Sequence, residues 1–321
     1  MSNSLRYIEF DKIAGTVESL CISAGYELPE DVLAALETAA ANESDPKAAK
    51  ILNQLIENAR IAIEEKIPLC QDTGLAVVFV EQGSQVAVAP PAGGNPVPGE
   101  VQGTCRGRPA LESRARCPRH AVQGKDMTLF DAINAGVEAG FEKGYLRKSV
   151  VAEPLNLRKN TGTNTPAIIH HTIVPGDIIR LTVMTKGGGC ENKSRFKMFR
   201  PTAEKQQIID WIADVVGSAG ADACPPFIVG VGIGGDFELS CLLSKKALCR
   251  KLGEKNSDPF YAGLEADLLS RINKLGVGPQ GLGGDTTALA CLIETAACHI
   301  ASLPVAVNIE CHSHRHKTAT I

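Results

Sequence analysis

Long apolar runs are missing from this chain, and no uninterrupted stretch reaches the roughly 18–20 residues that a bilayer-spanning helix requires. The opening residues, MSNSLRYIEFDKIAG, lack the charged region followed by an apolar core that marks an export signal. Basic excess is missing too. The chain has 33 Lys and Arg against 36 Asp and Glu, a formal net charge of −3, so no basic stripe is available to neutralise phosphates. These absences argue against a membrane protein and a nucleic-acid partner, and they point to a cytoplasmic protein. No internal repeat or coiled-coil heptad is present. Cysteine, by contrast, is plentiful, at eleven residues. Without an export signal that number implies a reducing compartment, where thiols stay free for metals or catalysis. A free cysteine is nonetheless a small buried hydrophobe by default, so position must decide which are ligands.

At 321 residues the chain is long enough to bury a sizeable core, and it is read as one domain over 1–321. The periodicity predicts a helix from Pro29 to about Ala41. A second runs from the cap Asp45-Pro46 to about Lys66, with Leu52, Leu55, Ile56, Ala59 and Ile63 as its apolar stripe. Cys70-Gln71-Asp72-Thr73-Gly74 then leads into a strand over Leu75–Val80, which puts Cys70 at a strand's edge facing a cleft. Residues 89–127 carry prolines, glycines and five arginines with no hydrophobic period, and they read as a surface insertion or disordered loop. Within it Cys105, Cys117 and His120 match no common metal-ligand spacing.

A helix over Thr128–Lys143 follows, then Tyr145–Ser149 and the turn-rich loop Asn160-Thr161-Gly162-Thr163-Asn164. Alternating runs at Ala167–Val174 and Ile178–Met184 flank Pro175-Gly176-Asp177 as a hairpin. Gly187-Gly188-Gly189 precede a helix, leaving backbone N–H groups suited to a carboxylate or phosphate. The last third alternates strands at Phe227–Ile233, Thr287–Glu294 and Pro304–Glu310 with helices at Phe237–Leu248 and Tyr261–Leu275. The fold class is mixed α and β (α+β), with the strand order not derivable.

Gly230-Val231-Gly232-Ile233-Gly234-Gly235 fits the G-x-G-x-x-G of a dinucleotide-binding turn, and a dinucleotide-dependent oxidoreductase is the strongest rival function. Against it, the motif lies deep in the chain and no strand ending in an acidic residue follows at the right distance. A strand where backbones approach closely explains the same glycines. The terminal Cys311-His312-Ser313-His314-Arg315-His316 invites zinc, yet alternating histidines on an exposed tail bind metal adventitiously. Cys291 and Cys298 read as packing residues. A non-catalytic metal-binding or scaffold protein is the third class left open.

Four segments together resemble the class I fumarase and tartrate dehydratase family of iron–sulfur hydro-lyases. They are Cys70-Gln71-Asp72-Thr73-Gly74, the Asn160–Asn164 loop with Lys186-Gly187-Gly188-Gly189, Ala223-Cys224-Pro225-Pro226, and Asn308-Ile309-Glu310-Cys311. The resemblance spans nearly the whole chain except the arginine-rich segment. It implies that Cys70, Cys224 and Cys311 hold a [4Fe–4S] cluster, and three thiolates leave one iron open to act as a Lewis acid. Pro225 and Pro226 would hold Cys224 on a stiff turn. Cys190, following three glycines, ranks below Cys224 as a ligand.

The resemblance further implies Asp72 as the catalytic proton carrier, with Gln71, Arg147 and the N–H of Gly189 cradling a dicarboxylate substrate. Lys186, Asn160 and Asn192 would support them. Single-polypeptide relatives continue into a second domain, so a β subunit is expected to complete the site, in an α₂β₂-like assembly. Between substrates, the run Gly189–Ser194 favours fumarate, with L(+)-tartrate as the alternative.

Overall fold

The computed structural model describes residues 5–90 and 127–321. Most of the 89–127 segment, including Cys105, Cys117, His120 and the five arginines, lies outside the described residues.

The N-terminal part comprises β1 (Arg6–Glu9), α1 (Phe10–Tyr26), α2 (Glu30–Asn42), α3 (Pro46–Glu65), β2 (Leu75–Gly83) and β3 (Val86–Ala89). Next come α4 (Leu129–Lys143), β4 (Ile168–Val174), β5 (Ile179–Lys186), the single turn α5 (Gly188–Glu191) and β6 (Arg195–Phe199). The remainder is α6 (Lys205–Ala219), β7 (Phe227–Gly234), α7 (Phe237–Ala247), α8 (Pro259–Asn273), β8 (Ala288–Ala296), β9 (Leu303–Glu310) and β10 (His316–Thr320). Helix α3 starts where its cap requires, with the Asp45 carboxylate accepting from the N–H groups of Lys47 and Ala48. Its stripe buries Ala48, Leu52, Ile56, Ala59 and Ala62. Ile63, expected inside, is exposed, because Ala62 takes that turn of the face.

Two four-stranded mixed sheets carry the fold, ordered β10-β5-β2-β4 and β6-β9-β7-β8, and a short parallel pair joins β1 to β3. Strand alternation sorts the layers. Ala76, Val78 and Val80 of β2 face α1 and α4, whereas Val77 faces the other way and meets Ala247 and Leu248 at the end of α7. In the second sheet Ile228, Ala290 and Leu292 meet the same α7 residues, while Val229, Val231 and Ile293 bury against α6 and α8. Helix α7 therefore lies between the sheets, as the centre of a five-layer stack.

The expected hairpin of β4 and β5 does not form. β2 lies between them, parallel to β4 and antiparallel to β5. The Pro175–Ile178 loop wraps the end of β2 instead, with Gly83 N–H bonded to the Ile178 carbonyl and Gln85 N–H to that of Gly176. The glycine-rich β7 also has a packing cause. A Cβ at Gly230 or Gly232 would collide with the carbonyls of Ser244 or Ser240 on α7, so both glycines let a helix lie directly on the strand. They sit inside the strand, where no pyrophosphate could reach, and the dinucleotide alternative loses its motif.

Candidate active site

The loop Cys70–Gly74 joins α3 to β2 and is pinned from three sides. Gly74 has φ +79°, and a Cβ there would strike the Lys186 carbonyl, so only glycine lets the loop lie against the end of β5. The Gly74 carbonyl accepts from Asn164 Nδ2 (3.1 Å), and the buried Thr73 hydroxyl accepts from the Arg147 N–H (3.2 Å). Asn164, itself buried at φ +59°, also accepts the N–H groups of Ser149 (2.7 Å) and Val150 (3.2 Å) through Oδ1. One amide thus ties the Tyr145–Ser149 segment and the Asn160–Asn164 loop to the Cys70 loop. Asn160 is exposed, and its side chain donates to the Lys148 carbonyl (2.8 Å) and accepts the Gly162 N–H (2.7 Å).

The Asp72 carboxylate reaches the glycine run, accepting the Gly188 N–H through Oδ2 at 2.8 Å. That bond uses one carboxylate oxygen and leaves Oδ1 for other chemistry. The helix expected after the glycines is one turn long, with Gly188 and Gly189 exposed at its start. Gln71 and Arg147 are exposed as well, and the Gln71 Oε1 accepts from the Cys70 thiol (3.2 Å). Asn192 is exposed and caps the turn, its N–H on the Gly188 carbonyl. The structure therefore brings Cys70, Gln71, Asp72, Arg147 and the Gly187–Gly189 turn to one neighbourhood.

Cys224 arrives from the opposite sheet, at the end of a short 3₁₀ turn and just before β7. It is exposed, its φ is +53°, and its carbonyl accepts the His312 N–H (3.4 Å). Cys311 follows β9 and is buried. The thiols of Cys70, Cys224 and Cys311 feel one another's charge. Burial pushes the Cys224 thiol up, and Cys311 and Cys70 push it further. Burial also pushes Cys70 up, against the Asp72 N–H and the Arg315 guanidinium, with Cys311 adding to the rise.

Cys190 is the unexpected neighbour. Among the described residues, Cys190, Glu310 and Cys311 are the group whose ligand atoms all lie within 4.8 Å of one another, and it holds one of the three predicted cluster ligands. The Cys190 thiol donates to the Ala223 carbonyl (3.5 Å) and stands beside Cys311, which pushes the Cys190 thiol up while Cys190 pulls that of Cys311 down. Beneath them Lys186, fully buried, donates to the Ile309 carbonyl (2.7 Å) and pairs with Glu310 (3.4 Å) and Glu191 (3.5 Å). Burial pulls its pKa down, but Glu310, Cys190 and Glu191 outweigh that and hold the ammonium charged.

The terminal segment is not an exposed tail. His314 and Arg315 are buried, His314 Nε2 donates to the Leu248 carbonyl (2.7 Å), and His316 begins β10 beside β5. The three imidazoles are pushed down, chiefly by burial, His312 and His314 to about 4 and His316 to about 3. Cys291 is buried inside β8 as expected, whereas Cys298, expected to pack, is exposed with its thiol on the Ser302 carbonyl (3.4 Å). Glu310 and Asn164 lay inside the motifs that carried the family resemblance. Arg315 had no local signal at all.

Comparison with known proteins fits this geometry. The model of the fumarate hydratase (Fumerase) family matches residues 14–94 and 116–320, and its gap falls within the arginine-rich segment. The chain is 37% identical over 308 residues to a putative L(+)-tartrate dehydratase subunit alpha of Methanocaldococcus jannaschii, covering 95% of each chain. It is 29% identical over 322 residues to the L(+)-tartrate dehydratase subunit alpha of Escherichia coli K12, covering 100% of this chain and 94% of the relative. No helix among the described residues is long and apolar enough to cross a membrane. With all but short stretches of its length accounted for by one family model, the chain belongs to the fumarate hydratase (Fumerase) family of hydro-lyases.

Proposed function

We propose that this chain is the cluster-bearing α subunit of an iron–sulfur L(+)-tartrate dehydratase, which removes water from a hydroxylated dicarboxylate. The observation that carries the substrate is the end-to-end likeness to relatives named for L(+)-tartrate. It outweighs the run Gly189–Ser194, which had favoured fumarate. Fumarate hydration remains the second reading, supported by the description of the matching family model.

Cys70, Cys224 and Cys311 are assigned as the cluster ligands, and the donor set suits the group. Three thiols that sense one another converge from two sheets, and a buried guanidinium with unpartnered donors stands beside them. A cluster held by three thiolates supplies a Lewis-acidic iron for the departing hydroxyl and its neighbouring carboxylate. Asp72, oriented by the Gly188 N–H, holds or moves the proton at the reacting oxygen through its free Oδ1. Arg147 offers a planar fork to one substrate carboxylate, with Gln71 and the Gly189 N–H beside it. Gln71, Arg147 and Gly189 are exposed and Asp72 is half-buried, which suits a site that a second chain closes, and the relatives' designation as subunit alpha supports a β partner.

The test is an anaerobic assay of the chain alone and of its complex with the partner, both supplied with iron and sulfide. L(+)-tartrate, D(−)-tartrate and fumarate are offered in turn. The complex is expected to turn over L(+)-tartrate with a kcat/KM at least about tenfold above fumarate, a discrimination of about 1.4 kcal/mol, and the lone chain to be inactive. Preference for fumarate overturns the substrate, and full turnover by the chain alone overturns the partner.

A further inference from the structure

Arg315 is 1% exposed and forms no ion pair with any carboxylate among the described residues. Among the described residues its one side-chain bond runs from Nη2 to the Asp72 carbonyl (3.0 Å), while Nε and Nη1 are buried without partners there. The main chain holds it in place, since its carbonyl accepts the Thr185 N–H (3.2 Å). A buried cation without a counter-ion is strongly unfavourable, and each orphaned donor adds to the cost. Asp72 gives Oδ2 to the Gly188 N–H and Glu310 pairs with Lys186, and neither carboxylate forms an ion pair with Arg315. The guanidinium lies instead against the loop that carries Cys70. Its charge acts on the thiols of both Cys70 and Cys311, one from each sheet.

We propose that Arg315 is the positioning residue of the iron–sulfur centre: buried against the Cys70–Gly74 loop with two donors unpartnered among the described residues, it offsets part of the negative charge of the thiolate-bound cluster. The inference rests on the cluster assignment above. Three thiolates exceed the charge of a [4Fe–4S] core in its resting state, so the assembly is an anion, made more negative by reduction and less so by oxidation. A fixed neighbouring cation therefore raises the reduction potential and resists oxidative loss of iron.

The experiment uses the complex of the full chain with its partner, rebuilt anaerobically with iron and sulfide as wild type, R315Q, R315K and C311S. Iron and sulfide content, a mediated potential titration followed by electron paramagnetic resonance, and the rate at which the visible band bleaches in air are measured. R315Q is expected to bleach at least about tenfold faster and to titrate lower by about 59 mV, a tenfold shift for a one-electron couple. R315K keeps the charge without the fork, and should recover at least half of the potential shift. R315Q values within twofold of wild type, or a raised KM with the cluster unchanged, overturn the proposal. Should R315Q fail to fold, R315K decides: bleaching within about threefold of wild type supports the charge role, and bleaching at least about tenfold faster with folding intact overturns it. A wild-type complex that takes up no more iron than C311S defeats the cluster assignment itself, a different failure.

Discussion

Asn164 is the position where one small change should separate the two halves of the candidate substrate cradle. Its side chain serves three main-chain groups, the N–H of Ser149, the N–H of Val150 and the carbonyl of Gly74, and it is buried at a left-handed φ. In N164A all three bonds go, at roughly 1 kcal/mol each, and alanine adds about 1 kcal/mol for the left-handed backbone. The expected loss is about 4 kcal/mol. N164G removes the same bonds without the backbone penalty and should cost about 3 kcal/mol. N164D keeps the two acceptor bonds but sets a carboxylate oxygen against the Gly74 carbonyl, and should fall between wild type and N164G.

Urea unfolding measures the totals, provided the slope with denaturant is unchanged between variants. Hydrogen exchange at the amides of Ser149 and Val150 localises them. Because Asn164 also fixes where Arg147 stands relative to Asp72, N164A should lose roughly ten- to hundredfold in kcat/KM. A loss of stability below about 1 kcal/mol, with the Ser149 and Val150 amides still protected, would refute the tether.

Asp72→Asn keeps a group that can accept the Gly188 N–H but removes the proton carrier, so turnover should fall at least about a hundredfold with stability within about 1 kcal/mol of wild type, by kinetics and denaturation on the same sample. His314 has a folded pKa of about 4 against about 6.5 unfolded, so the unfolded chain binds more protons between those values. Its contribution is complete above pH 6.5 and is lost as pH falls towards 4, by about 3 kcal/mol; H314Q, which can still donate to the Leu248 carbonyl, should remove that share of the acid limb in unfolding curves and leave the shares of His312 and His316. Lys186→Met leaves the buried Glu310 without its cation and should cost about 3–5 kcal/mol. Adding E310Q should restore at least about 2 kcal/mol of it, and a double variant no better than the single one would show that the pair is not the cause.

Residues whose local chemistry is their function were legible in the sequence. Asp45-Pro46 marks a helix start wherever it stands, and Gly74 declares a turn that nothing else could adopt. Helix α6 was equally readable, since Ile209, Ile212, Ala213 and Val216 form its buried stripe, as do Ile13, Val17, Leu20 and Ala24 in α1, yet neither helix was assigned. Strand pairing is another matter. Alternation at Ala167–Val174 and Ile178–Met184 shows two strands, but a short turn between them does not make them partners, and β2 takes the place between. Burial of the terminal segment could not be read either. Histidine and arginine in alternation look solvated, and only the packing of β10 on β5 puts His314 and Arg315 inside.

The same limit explains why cysteine position alone cannot separate ligands from neighbours. Cys190 lies closer to Cys311 than the sequence implied, and a count of converging thiols would make it a fourth ligand. The charges around it argue otherwise. Its thiol donates to the Ala223 carbonyl, and Cys311 and burial push it up, so it resists ionisation, whereas the thiol of Cys311 is pulled down by Cys190 beside it. A protonated thiol at Cys190 then stands beside its neighbour's thiolate, with the ammonium of Lys186 near both. Under the proposed assignment, three thiolates and one thiol would keep a coordination position open for dehydration, while a fourth thiolate would close it and suit electron transfer instead. Cys190→Ser, which keeps a donor of similar size, should therefore leave iron and sulfide content unchanged, and Cys190→Val should weaken retention of the cluster without abolishing it; iron content falling to the level of C311S in either variant would make Cys190 a ligand after all.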